Sequence, residues 1–153
     1  MKAYFLTLGS RLTVSSVENV RVPKLMVVEE YETVFQLVSV IEGDVKTPKQ
    51  SIAALKASLP PGSMTGAPKK RSCELLTEVE GSKARGLYSG VIGYFDVGGG
   101  GDFSVVIRTA FKWSDEPDVW RIGAGGAVTA LSEPEAEWEE MLAKRTGVLN
   151  IFR

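Results

Sequence analysis

The sequence predicts an α+β domain, and three observations lead to that class. Runs rich in β-branched and aromatic residues fall at 34–41, 86–97 and 103–113. Apolar residues at helical spacing fall at 48–59, in a second stretch that opens at 62–69, and after Ser132. These runs do not alternate strictly as strand, helix, strand, so a doubly wound sheet is disfavoured. With 153 residues, 44% hydrophobic and 24% charged, the chain suits one ordinary globular domain, and no internal repeat interrupts it.

Residues 1–15 differ in composition from the rest, a short apolar stretch followed by Ser10, Thr13 and Ser15, and show no sustained period. They form an unmatched N-terminal segment ahead of a domain at 16–153. From Val20 the chain is extended into Pro23 and again through Val27-Val28-Glu29-Glu30-Tyr31. The run 34–41 follows as a buried strand ended by Gly43-Asp44. Ile52, Leu55 and Leu59 recur at three and four and predict a short helix closed by Pro60-Pro61-Gly62. The segment 62–69 opens a second helix, with proline near its first turn, a core stripe of Cys73, Leu76 and Val79, and Gly81 as its stop.

Residues 86–97 predict a strand, 98–101 a flexible hairpin, and 103–113 a returning strand with Phe103, Val105, Ile107, Thr109 and Phe111 on one face and Arg108 on the other. A fourth strand over 119–122 runs on through Gly123-Ala124-Gly125-Gly126. Ser132 followed by Glu135 has the pattern of a capping box, with Pro134 in the first turn of a helix of about 18 residues. On that helix Trp138, Met141, Leu142, Val148, Leu149 and Phe152 share an apolar arc. Glu137, Glu140 and Lys144 cluster on its edge within about 60°.

Eighteen basic and nineteen acidic residues leave a net charge of -1, which gives no electrostatic footing for nucleic acid or anionic membrane. The chain has no histidine, so mechanisms built on an imidazole base are excluded, and the single Cys73 makes neither an internal disulfide nor a thiolate cage. No 18-residue apolar run or export signal is legible, and a free thiol fits a cytoplasmic location. Any acid, base or metal chemistry must rest on carboxylates, lysine, arginine, tyrosine or hydroxyls.

Among such residues, Glu137 and Glu140 are spaced so that they could share a hard cation such as Mg²⁺, although spacing alone favours Glu140 pairing with Lys144 at i, i+4. Glu133 and Glu135 suit the helix dipole instead. The 62–69 segment joins glycines, hydroxyls and a helix start, and so either holds an anion on backbone N–H groups or is an ordinary loop. It lacks the P-loop order. Arg108 needs a carboxylate from protein or ligand. Tyr88 either orients a ligand carboxylate or is a satisfied buried tyrosine. Gly123 and Gly125 permit close approach to the backbone or mark a bulge.

Seven segments together carry a resemblance: Val22-Pro23-Lys24-Leu25-Met26, Val34-Phe35-Gln36-Leu37-Val38-Ser39, Pro61-Gly62-Ser63-Met64-Thr65-Gly66-Ala67-Pro68-Lys69, Tyr88-Ser89-Gly90-Val91-Ile92-Gly93-Tyr94, Ile107-Arg108-Thr109, Gly123-Ala124-Gly125-Gly126, and Ser132 through Glu140 as Ser-x-Pro-Glu-x-Glu-Trp-x-Glu. In order and spacing the chain resembles the C-terminal part of chorismate-utilising enzymes. The Gly-Ser-Met-Thr-Gly-Ala-Pro-Lys-Lys-Arg run is most similar to the aminodeoxychorismate synthase branch of fungal type, with Gln36 agreeing and anthranilate synthase component I as the nearest alternative.

The resemblance implies an incomplete part of that family's sheet-and-helix sandwich. It also implies conversion of chorismate and ammonia, delivered by a glutamine amidotransferase domain or subunit, to 4-amino-4-deoxychorismate on the way to para-aminobenzoate and folate. By the same resemblance Glu137 and Glu140 lie at a magnesium position. Tyr88, Arg108 and Gly123 hold the enolpyruvyl carboxylate, Gly125 and Lys144 the ring carboxylate, and Thr65 with Gly66 lines the ring pocket. The family's Pro-Ile-Lys-Gly-Thr run with its nucleophilic lysine and its Met-Ile-Val-Asp-Leu-x-Arg-Asn-Asp run are not in this sequence. No catalytic residue is therefore assigned, and the expectation is a truncated or wrongly started form, or a non-catalytic chorismate-binding module. A half-built sandwich exposes apolar strand faces, so low solubility is expected.

Overall fold

The computed structural model describes residues 17–153 and the backbone strand Lys2–Phe5; the rest of the N-terminal segment, including most of 1–15, lies outside the described residues. The expected α+β class is what the chain adopts, as small sheets and helices in two compact units, Met1–Gly81 with Tyr94–Asp102, and Ser82–Gly93 with Phe103–Arg153.

In the first unit, β1 (Lys2–Phe5), β2 (Glu18–Glu30) and β3 (Phe35–Asp44) make an antiparallel sheet in the order β1-β3-β2. Tyr31 N–H donates to Val34 O at 2.9 Å and closes the turn between β2 and β3. β2 is longer than its broken apolar pattern implies because bulges absorb the breaks. Its register against β3 shifts between Glu18 and Arg21, between Arg21 and Lys24, and between Lys24 and Val27. Asn19 and Met26 take left-handed φ values of 49° and 50° there. The expected buried strand is only half buried. Val38 and Ser39 are covered, whereas Phe35 is 72% exposed and Leu37 50%, beside Val28 at 63% on β2. β-branched content marks a strand but not how many of its faces are covered.

Helix α1 (Pro48–Ser58) starts on a full capping box. Gln50 N–H donates to Thr47 Oγ1 at 3.3 Å, and Gln50 Oε1 accepts from Thr47 N–H at 3.0 Å and Lys46 N–H at 2.6 Å. It buries Ala54 rather than the expected Ile52, which is exposed. The second expected helix is divided into α2 (Gly62–Thr65) and α3 (Lys69–Val79), because Gly66 turns left-handed at φ 99° and Pro68 stands at the cap of α3. Its expected core stripe is not buried, and Val79 is exposed. Lys69 Nζ ties α3 back to Ser58 O at 3.0 Å.

β4 (Val91–Phe95) and β5 (Gly101–Val105) form the expected hairpin, with Asp96 Oδ1 accepting Gly100 N–H at 2.9 Å in its turn. The returning strand is not continuous to Trp113. Val106 still pairs across the hairpin, its N–H donating to Gly90 O at 2.9 Å and its carbonyl accepting Ser89 N–H at 3.1 Å, and the chain then turns at Ile107, whose N–H bonds back to Val105 O at 3.0 Å, and at Arg108 with φ 52°. Strand structure resumes in β6 (Ala110–Phe111), paired with β7 (Arg121–Ile122) as Ala110 with Ile122 and Phe111 with Arg121.

Helix α4 (Pro134–Leu149) runs 16 residues, followed by a 3-10 turn over Asn150–Phe152. The expected Ser132 capping box is absent: the cap residue is Glu133, one position later, and no side chain caps it. Of the expected apolar arc only Val148 is buried; Trp138 is exposed. No helix among the described residues is long and apolar enough to cross a membrane.

Candidate functional site

The second unit gathers most of the residues singled out in the sequence. Tyr88 lies across the segment 123–125: a Cβ built on Gly123 would fall within the Tyr88 ring, and one on Gly125 would stand 3.1 Å from its hydroxyl. The space these glycines leave over the backbone is therefore filled by Tyr88 itself. Ser89, next in sequence, is buried at φ 70° and accepts a hydrogen bond from Arg85 at 3.1 Å.

Lys144 on α4 reaches the same segment and donates to Gly125 O at 3.3 Å while pairing with the Glu140 carboxylate one turn back. The hydrogen bond from Lys144 first, then its charge, and to a smaller extent the charge of Arg108, hold the Glu140 carboxyl below the usual range against a small desolvation effect. The i, i+4 pair weighed in the sequence is thus formed. Arg108 does not sit on a regular strand as expected. It lies in the break between β5 and β6 at φ 52°, exposed, in a conformation that costs a non-glycine residue on the order of 1 kcal/mol.

Glu137 sits in the first turn of α4, its N–H bonded to Glu133 O at 3.1 Å. Its Oε1 accepts from Ser132 Oγ at 2.7 Å, and its Oε2 is buried with no hydrogen-bond partner. A Cβ on Gly126 would stand 2.5 Å from that oxygen. Sequence spacing singles out neither Gly126 nor Ser132 as a site residue, yet the structure sets both against the Glu137 carboxylate. Ser132 carried a cap signal that masked its link to Glu137, and Gly126 was one more glycine in a glycine-rich string. Among the described residues no group of three or more carboxylate or thiol side chains gathers to hold a metal.

Thr65 and Gly66 belong to the first unit, at the end of α2. Thr65 Oγ1 donates to Pro61 O at 3.1 Å, and Met64 and Gly66 N–H groups bond to Pro61 O and Gly62 O within the same loop at 3.0 and 2.7 Å. These internal bonds match the ordinary-loop alternative more closely than a cradle of free anion donors.

The second unit thus holds two glutamates on one helix, a lysine joining Glu140 to a glycine-rich segment, and a tyrosine lying on that segment. The chain belongs to the chorismate binding enzyme family, whose profile matches residues 11–150. Over 132 residues it is 50% identical to the chloroplastic aminodeoxychorismate synthase of Arabidopsis thaliana, covering 86% of this chain and 14% of the relative. Over 150 residues it is 47% identical to aminodeoxychorismate synthase of Saccharomyces cerevisiae, covering 89% of this chain and 19% of that relative. The fold matches the crystal structure of anthranilate synthase component I from Streptococcus pneumoniae TIGR4 with a TM-score of 0.70 at 32% identity, over 84% of this chain and 29% of that one. The chain thus spans less than a fifth of the length of these two synthases.

Proposed function

We propose that the chain contributes part of the substrate site of an aminodeoxychorismate synthase, which replaces the ring hydroxyl of chorismate with ammonia to give 4-amino-4-deoxychorismate. The observation that carries this reading is Lys144, which joins Gly125 to Glu140 in a chain about half identical to two proteins of that name. In this reading, by resemblance, Arg108 offers a planar fork for the enolpyruvyl carboxylate, which the Tyr88 hydroxyl and the Gly123 backbone also hold. Lys144 and the Gly125 backbone hold the ring carboxylate, and the left-handed backbone at Arg108 is strain kept for placement of that fork. Thr65 and Gly66 are assigned to the lining of the ring pocket by resemblance alone. No group of the chain is assigned the chemical step, since the family's lysine run is not in the sequence. Ammonia comes from a glutamine amidotransferase partner, and a cytoplasmic site of action agrees with the free Cys73 thiol.

Glu137 and Glu140 are the residues that would hold magnesium. The fit rests on Glu137 Oε2, a buried carboxylate oxygen with no donor, which a cation satisfies. When bound, the ion supplies positive charge that polarises a substrate carboxylate and eases departure of the hydroxyl.

The test is calorimetric titration of the chain with chorismate, with and without Mg²⁺, on wild type and Arg108→Ala. Saturable, magnesium-dependent heat that Arg108→Ala weakens at least tenfold is expected; a folded wild type that gives none refutes the assignment. The structural likeness to an anthranilate synthase component favours one second reading, anthranilate formation. Fluorescence of the product distinguishes the two in an assembled enzyme, because anthranilate emits and aminodeoxychorismate does not.

A further inference from the structure

Ser132 does not cap α4, yet its hydroxyl is the best-connected polar group ahead of that helix. Its Oγ accepts Thr129 N–H at 2.9 Å and lies 3.3 Å from both Thr129 Oγ1 and Ala127 O. A hydroxyl has one proton to give, and the shortest, charge-assisted acceptor is Glu137 Oε1 at 2.7 Å. With Oε1 engaged, the carboxylate cannot rotate freely, and Oε2 is held in a buried position without a partner. Gly126 supplies the room, because any Cβ there would stand 2.5 Å from Oε2. A buried carboxylate oxygen left without a donor is unfavourable unless something positive completes it.

We propose that Ser132 is a positioning residue for Glu137: with the space left by Gly126, it fixes the carboxylate so that Oε2 is presented to a divalent cation. The inference rests on the assignment of Glu137 as a cation ligand. It goes beyond that assignment by giving Ser132 and Gly126 a role that neither the resemblance nor the capping pattern implied. The geometry separates this role from capping, since Ser132 makes no bond to an N–H of α4 and its proton goes to a side chain.

The probe is Mn²⁺, followed by its effect on water proton relaxation, titrated into wild type, Glu137→Gln, Ser132→Ala, Ser132→Thr and Gly126→Ala chains, with thermal melting of each. Glu137→Gln is expected to lose the site. Ser132→Ala and Gly126→Ala should weaken Mn²⁺ at least tenfold with melting close to wild type, and Ser132→Thr, which keeps the hydroxyl, should restore it. If Glu137→Gln loses the ion while Ser132→Ala binds as wild type does, positioning by Ser132 is overturned and the ligand role of Glu137 stands. If Ser132→Ala and Ser132→Thr weaken binding equally and melt equally early, the serine is merely structural and the inference is overturned. A folded wild type that binds no Mn²⁺ overturns the ligand assignment and the positioning role with it.

Discussion

One substitution, glycine to alanine, should act differently at three glycines of the second unit, and the environment of each sets the direction. At Gly123 the new methyl would occupy the position of the Tyr88 ring, so the ring must leave or the segment must shift. Overpacking of this kind costs about 1–3 kcal/mol. At Gly125 the methyl would meet only the Tyr88 hydroxyl, at 3.1 Å, and a small tilt of the ring relieves it. The loss there should be about 1 kcal/mol or less. Gly147 lies in α4 with open space around its missing Cβ and no left-handed φ. Alanine there should stabilise by about 0.5–1 kcal/mol, because glycine sacrifices more backbone entropy in a helix. In a chain of this size 1 kcal/mol moves the melting temperature by about 2–4 °C, so the three variants should be separable by thermal denaturation followed by circular dichroism. Near-ultraviolet spectra should also register displacement of Tyr88 in Gly123→Ala alone. If Gly123→Ala melts with wild type, Tyr88 does not lie on Gly123 and the geometry of the proposed clamp is wrong. If Gly147→Ala melts earlier, the end of α4 is not helical as described.

Three further outcomes follow from local chemistry. Thr47→Ala removes one half of the capping box of α1 and should cost about 1 kcal/mol, read as faster amide exchange over the first turn of that helix. The Glu29 carboxyl is held below the usual range by hydrogen bonds from Lys24 at 2.8 Å and Tyr31 at 2.7 Å and by the Lys24 charge. Its folded value lies under its unfolded one, so the interaction contributes above the ordinary carboxylate range and is lost as pH falls through the depressed value. Carboxyl carbon NMR should show Lys24→Met returning Glu29 toward the ordinary range, and an unchanged titration would dissolve the link. Val28, Leu37 and Phe35 form an exposed apolar face, so the chain should bind a hydrophobic dye and self-associate. Val28→Lys with Phe35→Lys should suppress both without lowering the melting temperature, and undiminished dye binding would place the sticky surface elsewhere.

What could be read in advance was composition and order; what could not was any contact between distant residues. The run at 34–41 announced a strand through its valines and isoleucine. Nothing local could reveal that Phe35 and Leu37 face open space while Val38 is covered. The single returning strand expected over 103–113 is interrupted just after Val106, where Ile107 N–H bonds back to Val105 O and Arg108 takes a left-handed φ of 52° that no alternation of residue types announces. The capping pattern at Ser132 was a true signal of a helix start misplaced by one residue, and its serine serves Glu137 instead. Thr47 and Gln50, whose spacing carries the same pattern, do make the box just ahead of the apolar spacing of Ile52 and Leu55. In the candidate site, the pairing of Glu140 with Lys144 was legible because helical geometry alone brings them together. Tyr88 over Gly123 and Gly125 was not, because it joins segments more than thirty residues apart.

The irregular course of β2 bears on how this chain would clump. Among the described residues it is the outer strand of its sheet, with no strand on its far side, and an open edge usually invites another strand to add on. Yet its longest uninterrupted register against β3 is Val27 to Glu30, with bulges before it and Pro23, which lacks an N–H, further back. A fibril template asks for about six or seven straight residues. Apolar faces without a straight edge should therefore yield shapeless, re-dissolvable aggregates rather than ordered filaments.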